Sequence, residues 1–185
     1  MKETERKWIR DIRDGNRGAF EKMFYAYYAD LCVFAAQYLV SEHQARDVVQ
    51  DVFLEIWETR AQWTIHTSLK AYLYQAVRNR ALNKGRRSDA KREAEVQIER
   101  TGRTVQRRTA SDRLQYDELS EAIQRAIAQL PERRRMVFLL HRRHGFTYAE
   151  IAEIMDITVQ TVETQMGRAL KFLRERVRST SNISS

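Results

Sequence analysis

Apolar positions recur at steps of three and four through most of the chain, and no long run alternates apolar with polar residues, so the pattern predicts helices throughout. Phe20, Phe24, Tyr27, Leu31, Phe34 and Tyr38 line one face of a helix from about Gly18 to Val40; an aromatic stripe of this kind reads as core. Ser41 followed by Gln44 has the spacing of a capping box and opens a second helix to about Thr59. Val48, Val49, Val52, Phe53, Ile56 and Trp57 form its buried face. The polar stretch from Ala61 to Thr67 breaks the pattern, after which Ser68 caps a third helix ending near Gly85. Leu69, Leu73, Ala76, Val77 and Ala81 face inward there, and a shorter helix from about Glu3 to Arg13 is expected alongside.

The periodicity dissolves from Ser88 to about Asp112, where arginines, lysines and glutamates alternate and apolar residues are few; this segment reads as a linker, flexible or transiently helical. It returns at Leu114 in a helix to Gln129 that turns Leu119, Ile123, Ile127 and Leu130 inward. Pro131 suits the first turn of the next helix, whose apolar residues are Met136, Val137, Leu139 and Leu140. From Tyr148 to about Arg174 the pattern is that of a helix-turn-helix. Ile151 and the small Ala152 begin an inner face, Asp156-Ile157-Thr158 makes the turn, and Val159, Val162, Met166, Ala169 and Leu170 face inward on the second helix. Many such units carry glycine at the position of Asp156 because the backbone there is left-handed, which aspartate tolerates better than most residues. The expected fold is all-α: two small helical domains, residues 1–87 and 113–178, joined by a flexible linker, residues 88–112, with a disordered polar tail at 179–185.

Composition narrows the function. One proline and six glycines among 185 residues agree with helices, and a net charge of +8 points to a polyanionic partner, nucleic acid or an anionic membrane surface. Solubility alone is the competing explanation of that charge. Cys32 is the single cysteine, which excludes an intramolecular disulfide and a cysteine-cluster zinc site; in its apolar stretch it reads as a small buried hydrophobe. The charged N-terminus has no signal-peptide core, and no apolar run approaches the roughly 20 residues that span a bilayer, so a cytoplasmic location is expected. No glycine-rich phosphate loop, metal cluster or nucleophile–base pair is evident, so neither catalysis nor a cofactor is expected. His141 and His144 flank Arg142 and Arg143, and one histidine pair does not make a metal site.

The second helix of a helix-turn-helix enters the major groove with its N-terminal outward residues at the base edges. Those residues are Gln160, Thr161, Glu163, Thr164 and Gln165; glutamine pairs with adenine and glutamate accepts from cytosine. Arg168 and Lys171 further along, and Thr147 and Tyr148 at the start of the first helix, suit phosphates. A plain helical hairpin with a polar face is the alternative.

The stretch ARDVVQDVFLEIWE, a polar loop and SLKAYLYQAVRNRALNKGRR resemble region 2 of the sigma-70 family. The segment from LPERRRMVFLLHRRHG through FTYAEIAEIMDITVQTVETQMGRALKFLRE resembles region 4. With no region 3 between them, the plan is similar to the extracytoplasmic-function group. The resemblance implies that Asp47, Gln50, Asp51 and Leu54 dock on the coiled coil of the largest polymerase subunit. It implies that Lys70, Tyr74, Arg78, Asn79, Asn83, Lys84, Arg86 and Arg87 face a melted −10 element, cations tracking phosphates and rings stacking on bases. The loop with Trp63 and His66 matches the element that captures an extruded base. Tyr72 stands where relatives commonly have tryptophan, and is either a melting residue or core. The helix-turn-helix would read the −35 element. Implied partners are core RNA polymerase, promoter DNA and an anti-sigma protein. A stand-alone regulator and an enzyme acting on nucleic acid are the alternatives, the first having no need of the region-2-like helix pair.

Overall fold

A computed structural model describes residues 3–65, 67–95 and 123–181, with the backbone only for 87–95 and 177–181. The elements are α1 (Glu3–Arg13), α2 (Arg17–Ala35), α3 (Glu42–Glu58), a 3-10 turn (Arg60–Gln62), α4 (Leu69–Glu95), helical residues 123–128 (α5), α6 (Glu132–Arg142), α7 (Tyr148–Met155) and α8 (Val159–Ser181). No strand occurs among the described residues. The helices form two compact units, the first built on α1–α4 and the second on α5, α6, α8 and most of α7.

In the first unit each start has a local chemical cause. Asn16 Oδ1 accepts from the Ala19 amide at 3.0 Å and opens α2. Ser41 Oγ accepts from the Gln44 amide at 3.2 Å and opens α3, and Ser68 Oγ accepts from the Ala71 amide at 3.1 Å and opens α4. Each cap satisfies an amide that the helix itself cannot. Helices α2, α3 and α4 pack on one another around Leu31, Phe34, Val48, Val49, Phe53, Leu73, Tyr74 and Val77, all buried. Burying such a side chain contributes about 1.5–3 kcal/mol. Helix α1 joins them through Ile9 and Ile12, and through the Tyr27 hydroxyl, which donates to the buried Glu5 carboxylate at 2.9 Å. Burial, and then that carboxylate, pushes the Tyr27 hydroxyl well above its ordinary value. Burial likewise raises the half-buried Cys32 thiol, which favours its neutral form.

Three boundaries differ from expectation: α8 runs to Ser181, into the tail expected to be disordered, and the other two lie in the first unit. Helix α2 stops at Ala35 rather than Val40, the chain closing into turns in which the Gln37 and Tyr38 amides bond back to Phe34 and Ala35. Helix α4 runs past Gly85 to Glu95, into the segment read as linker. Gly85 does not adopt the left-handed conformation that would end a helix; it stands inside α4, with the Tyr38 carbonyl 3.6 Å from where a Cβ would lie, an ordinary contact. Residues 96–112 of the expected linker, Leu114, Leu119 and the last residues of the tail lie outside the described residues.

In the second unit Ala126, Leu130, Met136, Val137, Leu140, Phe146, Ile151, Val162, Met166 and Ala169 are buried, with α6 packed on α8. Pro131 sits at the cap position of α6. Three residues expected inward are exposed instead: Ile123, Val159 and Leu170. On α8 the buried face is the narrow stripe of Val162, Met166 and Ala169, so Val159 at the first position and Leu170 at the stripe's edge meet solvent. Gly145, at φ 70, turns the chain from α6 into α7 in a conformation that favours glycine.

Candidate nucleic-acid interface

Helices α3 and α4 meet along a ladder of charge. Lys84 Nζ lies 3.2 Å from Asp47 Oδ2, and His43 Nδ1 approaches the same oxygen at 3.3 Å. Arg80 reaches Asp51 Oδ2 at 3.4 Å through Nε and pairs with Glu55 through Nη1. The Lys84 hydrogen bond, followed by the charge of His43, holds the Asp47 carboxyl below its usual value. Between the two helices runs a groove of about 590 Å³, lined by Val48, Val52, Ile56, Tyr72 and Ala76, by Asn79, Arg80, Asn83 and Lys84, and by the carboxylates of Asp51 and Glu55. Gln50 and Asp51 are exposed and Leu54 keeps 55 % of its surface in solvent, an apolar residue beside acid and amide. The four residues expected to dock on a protein partner thus share one side of α3, but Asp47 and Asp51 already hold cations of α4.

Of the residues expected to face an unpaired strand, Asn79, Asn83 and Arg86 are exposed, and Lys70, Tyr72, Arg78 and Lys84 are half-buried. Arg78 Nη1 donates to Asn79 Oδ1 at 3.5 Å. Two expectations are corrected. Tyr74 is fully buried, its ring 4.8 Å from that of Phe34, because it lies beside Leu73 and Val77 on the apolar face of α4 and α2 covers it. It is a core residue. Trp63 is 4 % exposed: extended backbone after the 3-10 turn points its ring inward, edge-on to Tyr72 at 5.8 Å, so it offers no free face. His66 and the side chain of Arg87 lie outside the described residues.

The second unit presents the helix-turn-helix. Asp156 has φ 53, the left-handed conformation expected at that turn. Thr158 Oγ1 then accepts from the Thr161 amide at 3.2 Å and starts α8, and the two threonine hydroxyls lie 2.8 Å apart. Gln160, Glu163, Thr164, Arg168 and Lys171 are exposed on α8, and Thr161 and Gln165 half-buried. The Thr164 hydroxyl donates to the Gln160 carbonyl at 2.9 Å, which turns it toward its own helix. At the start of α7, Thr147 Oγ1 accepts from the Glu150 amide at 3.3 Å, while the Thr147 amide and hydroxyl both donate to Glu150 Oε2 at 3.0 Å. The hydroxyl expected at a phosphate is therefore a capping group. His141 Nδ1 lies 2.9 Å from the Phe146 carbonyl and, as the carbonyl only accepts, carries the proton. Its ring lies 5.1 Å from Tyr148, so this histidine holds the turn between α6 and α7.

Two family descriptions match the chain in the order of its units: sigma-70 region 2 over residues 23–91 and sigma-70 region 4 over residues 120–173. Among curated proteins, the ECF RNA polymerase sigma factor SigW of Bacillus subtilis is 25% identical over 180 residues, 94% of this chain and 96% of its own. The ECF RNA polymerase sigma-E factor of Escherichia coli K12 is 26% identical over 181 residues, 94% of each. The chain belongs to the sigma-70 family, in its extracytoplasmic-function group. Solved structures agree on the fold. CnrH in complex with the cytosolic domain of CnrY has a TM-score of 0.63 at 20% identity, covering 99% of this chain and all of its own. The sigma factor RpoE with the anti-sigma factor NepR from Bartonella quintana has a TM-score of 0.65 at 19% identity, covering 86% and 96%.

This sigma factor therefore has the two-unit plan of its group, and no helix among its described residues is long and apolar enough to cross a membrane. Sequence reasoning missed Arg80 and Glu55. A signal for them exists in register: Asp47, Asp51 and Glu55 step by four along α3, Arg80 and Lys84 step by four along α4, and two such stripes of opposite sign pair when their helices pack.

Proposed function

We propose that this sigma factor binds core RNA polymerase through α3 and directs it to promoters by holding DNA in two forms. Helix α8 reads the −35 element as duplex, and α4 with the loop before it traps the −10 element as a separated strand. The observation that carries this reading is the presence of both sigma-70 regions in one chain and in the family's order. The exposed Gln50, Asp51 and Leu54 supply the acid, amide and apolar contacts that suit a helical partner bearing arginines. Exposed Gln160 and Glu163 supply hydrogen-bonding groups for base edges, and Arg168 and Lys171 supply charge for phosphates. The protein performs no covalent chemistry of its own and works in the cytoplasm, where the polymerase is. An anti-sigma protein that occludes the polymerase-binding surface is a further proposed partner, on the likeness to a relative solved with one.

Transcription in vitro with purified core polymerase over a library of promoters tests the reading and returns both recognition sequences. Selective initiation that depends on the added chain is the expected result. Initiation indifferent to it, together with sequence-specific DNA binding, would leave a stand-alone regulator. Gln50→Arg with Asp51→Arg should abolish capture of core enzyme while the helical content stays unchanged; undiminished capture removes this face of α3 from the interface.

A further inference from the structure

The carboxylates of α3 proposed to meet polymerase and the cations of α4 that border the promoter-facing groove are bonded to each other. Arg80 is held by Asp51 and Glu55, and Lys84 by Asp47. We infer that Arg80, with Lys84, is a contact for the phosphate backbone of an unpaired strand, kept closed by these carboxylates until a cationic partner takes them over. This rests on the reading of α3 and α4 given above.

Three observations support it. Arg80 and Lys84 keep 40% and 36% of their side-chain surface in solvent, so a phosphate reaches them without unfolding anything. The exposed amides of Asn79 and Asn83 line the same groove, which holds Tyr72, aliphatic side chains and the Asp51 and Glu55 carboxylates; once a partner takes over those two charges, the surface suits a strand with its bases turned out. The pairs are also exchangeable: partly exposed ion pairs stabilise a fold only weakly, and a guanidinium binds carboxylate and phosphate with the same fork. Arginines of a docking helix that engage Asp47 and Asp51 would release Arg80 and Lys84 to the strand. By linkage, the strand would tighten the docking by the same factor.

The test uses the full chain and a short labelled strand of DNA, its binding followed by fluorescence anisotropy over a range of salt. Asp51→Asn with Glu55→Gln frees Arg80. Glu42→Gln with Glu58→Gln removes the same charge from exposed carboxylates of α3 that pair with no cation among the described residues. The first pair should tighten strand binding by about two- to fivefold, the range an exposed ion pair covers. It should also steepen the plot of log affinity against log salt by about 0.7, one released cation on a single strand. The second pair should change affinity less and leave the slope alone. Arg80→Ala should have little effect in the natural chain and should cancel the gain in the Asp51→Asn, Glu55→Gln background. Equal behaviour of the two carboxylate pairs, or an equal loss from Arg80→Ala in both backgrounds, overturns the inference. If circular dichroism shows the double variant unfolded, Asp51→Asn alone is read in the same way. Promoter-dependent transcription by the natural chain beside either overturning result would fault this inference only; a natural chain that drives no such transcription would fault the reading beneath it.

Discussion

Asp47 sits between Lys84 and His43, and its carboxyl is held low chiefly by the lysine hydrogen bond. A carboxyl whose folded value is depressed stabilises the fold above its unfolded value and loses that contribution as pH falls through the folded one. The natural chain and Asp47→Asn should therefore differ in urea midpoint at neutral pH and converge as pH drops below the ordinary 3.8; a difference that persists in acid would deny the ion pair its role. Asp156 is a second case in which one side chain answers to backbone geometry. At φ 53, Asp156→Val should cost about 1–2 kcal/mol in thermal unfolding, whereas Asp156→Gly should be near neutral, relief of strain offsetting the entropy of a freer unfolded chain. Both residues were singled out from sequence, Asp156 for its turn and Asp47 for the docking surface that the family resemblance implies, but Asp47's partner Lys84 is 37 positions away, beyond the reach of any pattern within one helix.

At the scale of elements, the caps at Ser41 and Ser68 were legible because capping is chemistry between residues three apart. Ends were less legible. Helix α4 carries Gly85 in its middle, where the Tyr38 carbonyl comes near. A Cβ there would meet that oxygen at 3.6 Å, an ordinary contact, so Gly85→Ala should stabilise the chain by about 1 kcal/mol through helix propensity alone. Denaturant unfolding would show a raised midpoint, and a lowered one would mean that the neighbouring turn cannot accept a methyl group. Tyr74 teaches a related point. Its spacing allows either face of α4, and the ring of Phe34, brought from α2, decides for the core.

For the whole molecule, the proposed function divides between two units that meet different forms of DNA. Arg78→Ala with Asn79→Ala should slow initiation on duplex promoters by on the order of tenfold and spare templates melted beforehand, as measured by single-round transcription. Equal losses on both templates would remove α4 from strand separation. Sequence alone determined the helical class, the two-unit plan, the caps, the turn at Asp156 and the outward face of α8, because each arises from residues within a turn or two of one another. Only tertiary structure decided that Trp63 and Tyr74 are buried and that Arg80 and Lys84 answer the acids of α3, whereas Thr147 and Glu150, three residues apart, form a cap already spelled in the sequence. Exposure and ion pairing depend on which helix lies opposite, and that is set by the packing of distant apolar faces.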